Sequence, residues 1–193
     1  MKILSTIATI LLLIVSLAAC KEKKEEKDAA FFPVLSFIKS QVADIDTSVY
    51  SIRKLEFIDS SRTDTSYIPR EQFREVAKEF LSIPDLSSAA YEDRYTEKEQ
   101  FDETTNRVII SYSPNKPEKE EIQAQEVLIK PDVAAGDKVT NIIINRVMNS
   151  KDSSVQKRLM WIVDKSFQVT SIKQLPGQPE TTSTYKVIWS DEQ

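Results

Sequence analysis

Histidine is absent from this 193-residue chain, cysteine occurs once, at Cys20, and glycine twice, at Gly136 and Gly177. Without an imidazole there is no base for a Ser-His-Asp or Cys-His arrangement. With one thiol there is no zinc cluster and no CxxC redox pair. Two glycines so far apart cannot write a G-x-S-x-G elbow or a glycine-rich phosphate loop. Asp44, Asp46 and Asp59 lack both the spacing and the glycine of a calcium loop. Most enzymes that announce themselves by motif are excluded, and no cofactor, no metal and no enzymatic activity of its own are expected. What remains is 40% hydrophobic and 29% charged residues, the balance of a folded domain rather than of a disordered chain.

The N-terminus is a separate element. Met1 and Lys2 precede an apolar stretch from Ile3 to Leu17, interrupted only by Ser5, Thr6, Thr9 and Ser16. A spanning helix needs about 20 apolar residues, so this shorter run reads as an export signal over residues 1–19 rather than a retained anchor. It ends in Leu17-Ala18-Ala19-Cys20, which resembles the lipobox of bacterial lipoproteins. The resemblance implies cleavage before Cys20, acylation of its sulfur and amine, and a membrane partner reached through the lipid. Several acyl chains at about 0.8 kcal/mol per buried methylene would hold the protein stably.

Removal of residues 1–19 takes Lys2 from 26 basic residues and none of the 30 acidic ones, moving the formal charge from −4 to −5. A mildly acidic body does not suit nucleic acid or an anionic membrane face. Residues 20–30 carry the cysteine and a KEKKEEKD run whose helical pairings largely cancel, so they read as a solvated tether. The lysine-acid run after the lipidated position also resembles the signal that sends some lipoproteins to the outer face of the outer membrane. The expected location is therefore the cell envelope, lipid-anchored at the outer membrane on its periplasmic or its surface face.

Residues 31–193 read as a single α+β domain. Pro33 at the start, and Leu35, Ile38, Val42 and Ile45 at 3 and 4 spacing, predict a helix ending near Asp46. Residues 48–59 read as a strand closed by Asp59-Ser60-Ser61. After Pro69, the stripe Phe73, Val76, Ala77, Phe80, Leu81 predicts a second helix that Pro84 stops. From Tyr91 the pattern turns to strands over 92–101, 107–113, 121–130, 138–149, 155–163, 167–174 and 182–190, separated by polar turns too short for parallel crossovers. The expected fold is a curved antiparallel β meander of about seven to eight strands packed against two amphipathic helices.

Two of these strands are apolar on both faces. Residues 139–148 divide Ile142, Ile144 and Met148 from Val139, Ile143 and Val147, and residues 159–163 divide Met160 and Ile162 from Leu159, Trp161 and Val163. A sheet with one wet face should alternate, so both faces call for cover. Leu159, Trp161, Val163, Ile143 and Val147 are the candidate apolar-ligand or core-face residues. Three readings stay open: a packed core, a partner interface on an envelope protein, and a cavity for an apolar ligand or lipid. Trp161, Trp189, Tyr185 and Tyr112 also permit an aromatic platform, though aromatics are ordinary sheet formers. The second helix carries Arg70, Arg74 and Lys78 beside Glu71, Glu75 and Glu79, a self-neutralising solvated face. Carboxylate-based hydrolysis needs only two acids, but the acids sit mostly in charged turns. Asp164, the exception, follows Val163 where a turn is expected.

Overall fold

The computed structural model describes residues 31–190. The expected signal, Cys20 and the tether lie outside the described residues. Within them, one antiparallel sheet of nine strands carries its helices on one face. Helix α1 (Val34–Thr47) follows Pro33, and Val34, Ile38, Val42 and Ile45 form its buried stripe. Leu35 lies at the margin of the core rather than inside it. The helix ends where Ser48 turns extended and its N–H bonds the Ile45 carbonyl.

The 48–59 reading shortens to β1 (Arg53–Phe57). Sequence pattern alone misses its partner, β2 (Thr63–Tyr67), because TDTSY is polar throughout and every residue of it is exposed. The hairpin turn between them is made by Asp59, whose carboxylate accepts from the backbone N–H groups of Ser61 and Arg62 at 3.0 and 2.9 Å.

The second helix departs from the continuous helix that its periodicity predicts. It is a 3-10 turn (Arg70–Gln72), then α2 (Phe73–Val76) and α3 (Lys78–Leu81), broken at Ala77. The cause is a side chain entering the backbone ladder. The Tyr185 hydroxyl donates to the Val76 carbonyl at 3.3 Å, and the Phe80 N–H bonds Ala77 instead, three residues back, at 3.0 Å. Phe73, Ala77 and Phe80 are nonetheless fully buried, as the stripe requires.

The remaining strands fall close to expectation: β3 (Tyr95–Asp102), β4 (Arg107–Pro114), β5 (Ile122–Lys130), β6 (Lys138–Asn149), β7 (Ser154–Ile162), β8 (Ser166–Gln174) and β9 (Thr181–Ile188). They form an unbroken meander, and β1 joins its far side on β9, giving the order β2-β1-β9-β8-β7-β6-β5-β4-β3. Register shifts between β5 and β6, near Ala124 and near Ile129, bend the sheet. The second, where β6 carries the extra residue Thr140, turns Val139 to the core side beside Ile129.

Cross-strand partners share a face, so the register defines which side chains meet. Ile110, Val127, Ile142, Trp161, Phe167 and Val187 form one row under the helices. Above them, Phe80 lies edge-on to Trp161 at 5.1 Å, Trp161 stacks on Phe167 at 5.4 Å, and Trp189 closes on Trp161 at 5.2 Å. Ile83 and Leu86, in the segment after α3, extend this core. At its far end the Phe32 N–H donates to the Tyr112 hydroxyl at 2.9 Å.

Candidate functional site

The five candidate apolar residues do not converge. Leu159 and Trp161 are wholly buried in the ring cluster and Val163 packs at its margin. Ile143 and Val147 are half-buried on the opposite face. That outer face has no described element over it. Its rows run Ile109, Leu128, Asn141, Ile162, Ser166, Ile188 and, one step along, Ser111, Glu126, Ile143, Met160, Gln168, Lys186, Leu55. Apolar side chains are interspersed there with hydroxyls, amides and charges, and all but Ser166, which is buried, are half-buried.

Three polar features lie on the helix side, and none was anticipated as a unit. In the first, Glu79 of α3 reaches the sheet, where its carboxylate meets Lys157 of β7 at 2.6 Å and Arg146 of β6 at 3.6 Å. Arg146 also binds Glu121. The helix face expected to be purely solvated is thus only partly so. Lys78 pairs with Glu75 as expected, but Arg74 crosses to Asp46 of α1, its Nε at 2.7 Å, and Glu79 docks α3. The signal was present in the alternation: Arg146 continues the inward parity of Ile142 and Ile144, and Lys157 that of Leu159 and Trp161. With two cations and two anions closing on one another, this cluster has no charge left for a ligand.

The second feature is a groove of 560 Å³ between the β1–β2 hairpin and α2–α3, lined by Lys54, Ser66, Tyr67, Gln72, Glu79 and Tyr185 among others. The Lys54 ammonium lies 5.1 Å from the centre of the Tyr185 ring. Burial, and then the Glu79 charge, push the Tyr185 phenol up to about 12. The third is a smaller cleft of 270 Å³ where Asp44 and Gln41 of α1 meet Asp164 over Ile45 and Trp189. Asp164 makes the expected turn after Val163 with a φ of 61°, and its N–H is held by the Gln41 amide oxygen at 3.2 Å. Two carboxylates line this cleft, but Trp189 serves as core beneath it, 3% exposed, rather than as a sugar platform.

Gln125 of β5 stands on the core side between Tyr112 and Ile144, 1% exposed. Neither its amide oxygen nor its amide nitrogen meets a partner, and the Trp161 indole N–H is in the same condition. Among the described residues no group of three or more acidic or cysteine side chains gathers in a way that would hold a metal ion. None of their helices is long and apolar enough to cross a membrane. A scan against family models gives no match, and searches of curated proteins and of solved structures give none either.

Proposed function

We propose that the chain is a lipid-anchored lipoprotein of the cell envelope, attached through Cys20, and that its folded part is a non-enzymatic docking or structural module. The supporting observation is the division of the sheet. Rings fill its helix side, while Ile109, Leu128, Ile143, Met160 and Ile162 line an outer face with no described element over it. A contact surface for an envelope partner follows from that division better than a reaction centre does, because the Glu79 charge cluster on the other side is closed by its own salt bridges.

Two measurements test this. A fatty-acid probe should label the wild type and leave Cys20→Ser unlabelled; label on the variant ends the lipoprotein reading. A photo-crosslinking residue at Met160 should trap an envelope protein in growing cells, whereas the same residue at the exposed loop position Val133 should not. Equal yields at both positions remove the outer face as a docking surface.

Gln125 favours a second reading, carriage of an apolar ligand or lipid with a polar group. A buried amide without partners is costly unless a water or a ligand supplies them. Native mass spectrometry of the protein incubated with phospholipid and fatty acid decides. A bound mass lost in Gln125→Leu supports the carrier, and an apo mass alone excludes it.

A further inference from the structure

We propose that β2 pairs edge to edge with β2 of a second copy of this chain, joining two nine-stranded sheets across a two-fold axis at Thr65. This goes beyond the lipid anchor and the outer face, and depends on neither.

The hydrogen-bond phase of the hairpin carries the argument. Ile58 donates to Arg62 and Ile68 donates to Ile52, at 3.0 and 2.9 Å. In an antiparallel pair the bonded and non-bonded residue pairs alternate. Within the β1–β2 register this makes Lys54/Ser66 and Glu56/Asp64 the bonded pairs. The N–H and C=O groups of Thr63, Thr65 and Tyr67 therefore point away from the sheet. All five residues of β2 are exposed, so nothing described covers this edge. Such a row of free backbone groups is a template for another strand, and proteins usually blunt it with charge, proline or a bulge. β2 has no proline and no bulge, and Asp64 is its one charge.

The opposite edge shows what a blunted one looks like. β3 carries Glu97, Lys98 and Glu99 at its centre. Antiparallel self-pairing about Lys98 sets lysine against lysine and glutamate against glutamate. Pairing about either glutamate sets that residue against itself. Like charges directly opposite one another are destabilising. β2 behaves differently under the same operation. About Thr65, threonine faces threonine, Thr63 faces Tyr67 of the second copy, and Asp64 faces Ser66. No like charges meet, and Thr-Thr and aromatic-to-β-branched pairs are favourable ones.

The side chains agree with the backbone. Five of the seven large hydrophobics most exposed among the described residues lie between Val49 and Tyr67, on and beside this hairpin. In β1–β2, Phe57 stands opposite Thr63 on the outer face. Pairing about Thr65 brings Tyr67 of the second copy against Thr63, with Phe57 one strand further. Tyr67 is 73% exposed in the single chain and gains a neighbour there. An interface of five residues is small, so the dimer should be weak and concentration-dependent.

The test uses the full chain carrying Cys20→Ser, in detergent, so that an added cysteine is the sole thiol. Thr65→Cys should give a disulfide-linked dimer on mild oxidation, since bonded antiparallel partners lie about 5.5 Å apart at Cα, within disulfide reach. Lys98→Cys, on the other edge, should stay monomeric. Without oxidant, sedimentation from micromolar to millimolar protein should show a monomer–dimer equilibrium, with the Thr65 amide gaining protection from hydrogen exchange as the dimer fills. Thr65→Lys sets like charges across the axis, and Thr65→Pro removes an N–H that β1 does not use. Either should abolish the dimer while circular dichroism is unchanged. A monomer at every concentration overturns the proposal, as does a dimer that persists in folded Thr65→Lys or an equal cross-linking yield at Lys98→Cys.

Discussion

The two faces of the sheet differ sharply on the same strand. Leu159 and Trp161 of β7 are wholly buried under α1, α2 and α3, while their neighbours Met160 and Ile162 are only half-buried on the outer face. The sequence reads nearly alike on both sides, yet only one is a core. The difference lies in what each face meets: rings from the helices and from β8 on one side, and on the other cross-strand neighbours such as Asn141, Glu126, Gln168 and Lys186. A strand apolar on both faces thus reports a central place in a wide sheet, and does not by itself imply cover on both sides.

The largest effect that would break this comparison is expected at Phe80. Its ring is fully buried against Trp161 and Phe167 at 5.1 Å each. Phe80→Ala should cost roughly 3–5 kcal/mol in a denaturation series, out of a total of about 5–15 kcal/mol for a domain. An unchanged midpoint would mean that α3 is not docked on the ring cluster. Next comes the ion cluster that ties α3 to the sheet. Glu79→Gln keeps the shape and removes the charge, leaving Lys157 and Arg146 without the carboxylate at 2.6 and 3.6 Å. Because the groups are partly solvated, a loss of about 1–3 kcal/mol is expected. Recovery in Glu79→Gln combined with Lys157→Met would locate the cost in the stranded ammonium.

Much of this fold was legible because its signals are local. The seven strands after Tyr91 are set by alternation and by turn residues such as Pro117 and Gly177, and α1 by a 3–4 stripe. β2 was not legible, since TDTSY has no buried side and pairs only because β1 lies beside it. The break at Ala77 was not legible either: it depends on Tyr185, more than one hundred positions away, whose hydroxyl takes the Val76 carbonyl. Alternation correctly divided each strand into its two faces, but the candidate set joins Leu159 and Trp161 across strands to Ile143 and Val147, whereas the register pairs Trp161 with Ile142 and Ile143 with Met160. Nor did alternation say which set faces the helices, because that is settled by where Phe73 and Phe80 land.

Tyr185 gives a smaller effect, visible at high pH. Its folded pKa of about 12 stands above the ordinary phenol value, because burial and then Glu79 disfavour the anion. A raised folded pKa means that the folded state keeps the proton more tightly. The associated stability is therefore whole below pH about 10 and is lost as pH rises toward 12. Tyr185→Phe should remove that part of the alkaline decline, at a cost near neutral pH of about 0.5–1 kcal/mol for the hydroxyl's bond. Ultraviolet titration of the phenols, wild type against variant, reads the missing late step directly.

The smallest effect belongs to the outer face, and it sharpens the comparison most. Leu159 and Met160 are consecutive, yet the same substitution should separate them widely. Leu159→Lys places an ammonium among Trp161, Ile144 and Val169 with no partner at hand, and should leave no folded protein to measure. Met160→Lys places it between Ile143 and Gln168, half-buried on the face with no described element over it. Lysine can lay its methylenes where the methionine lay and keep its charge in water. The expected change in the isolated protein is within about 0.5 kcal/mol, read as the shift in urea midpoint at constant slope. A loss as large as a core truncation would mean that the outer face is covered in the folded protein after all. A neutral result in stability joined to loss of cross-linking at this face in cells would identify Met160 as a contact made only with a partner.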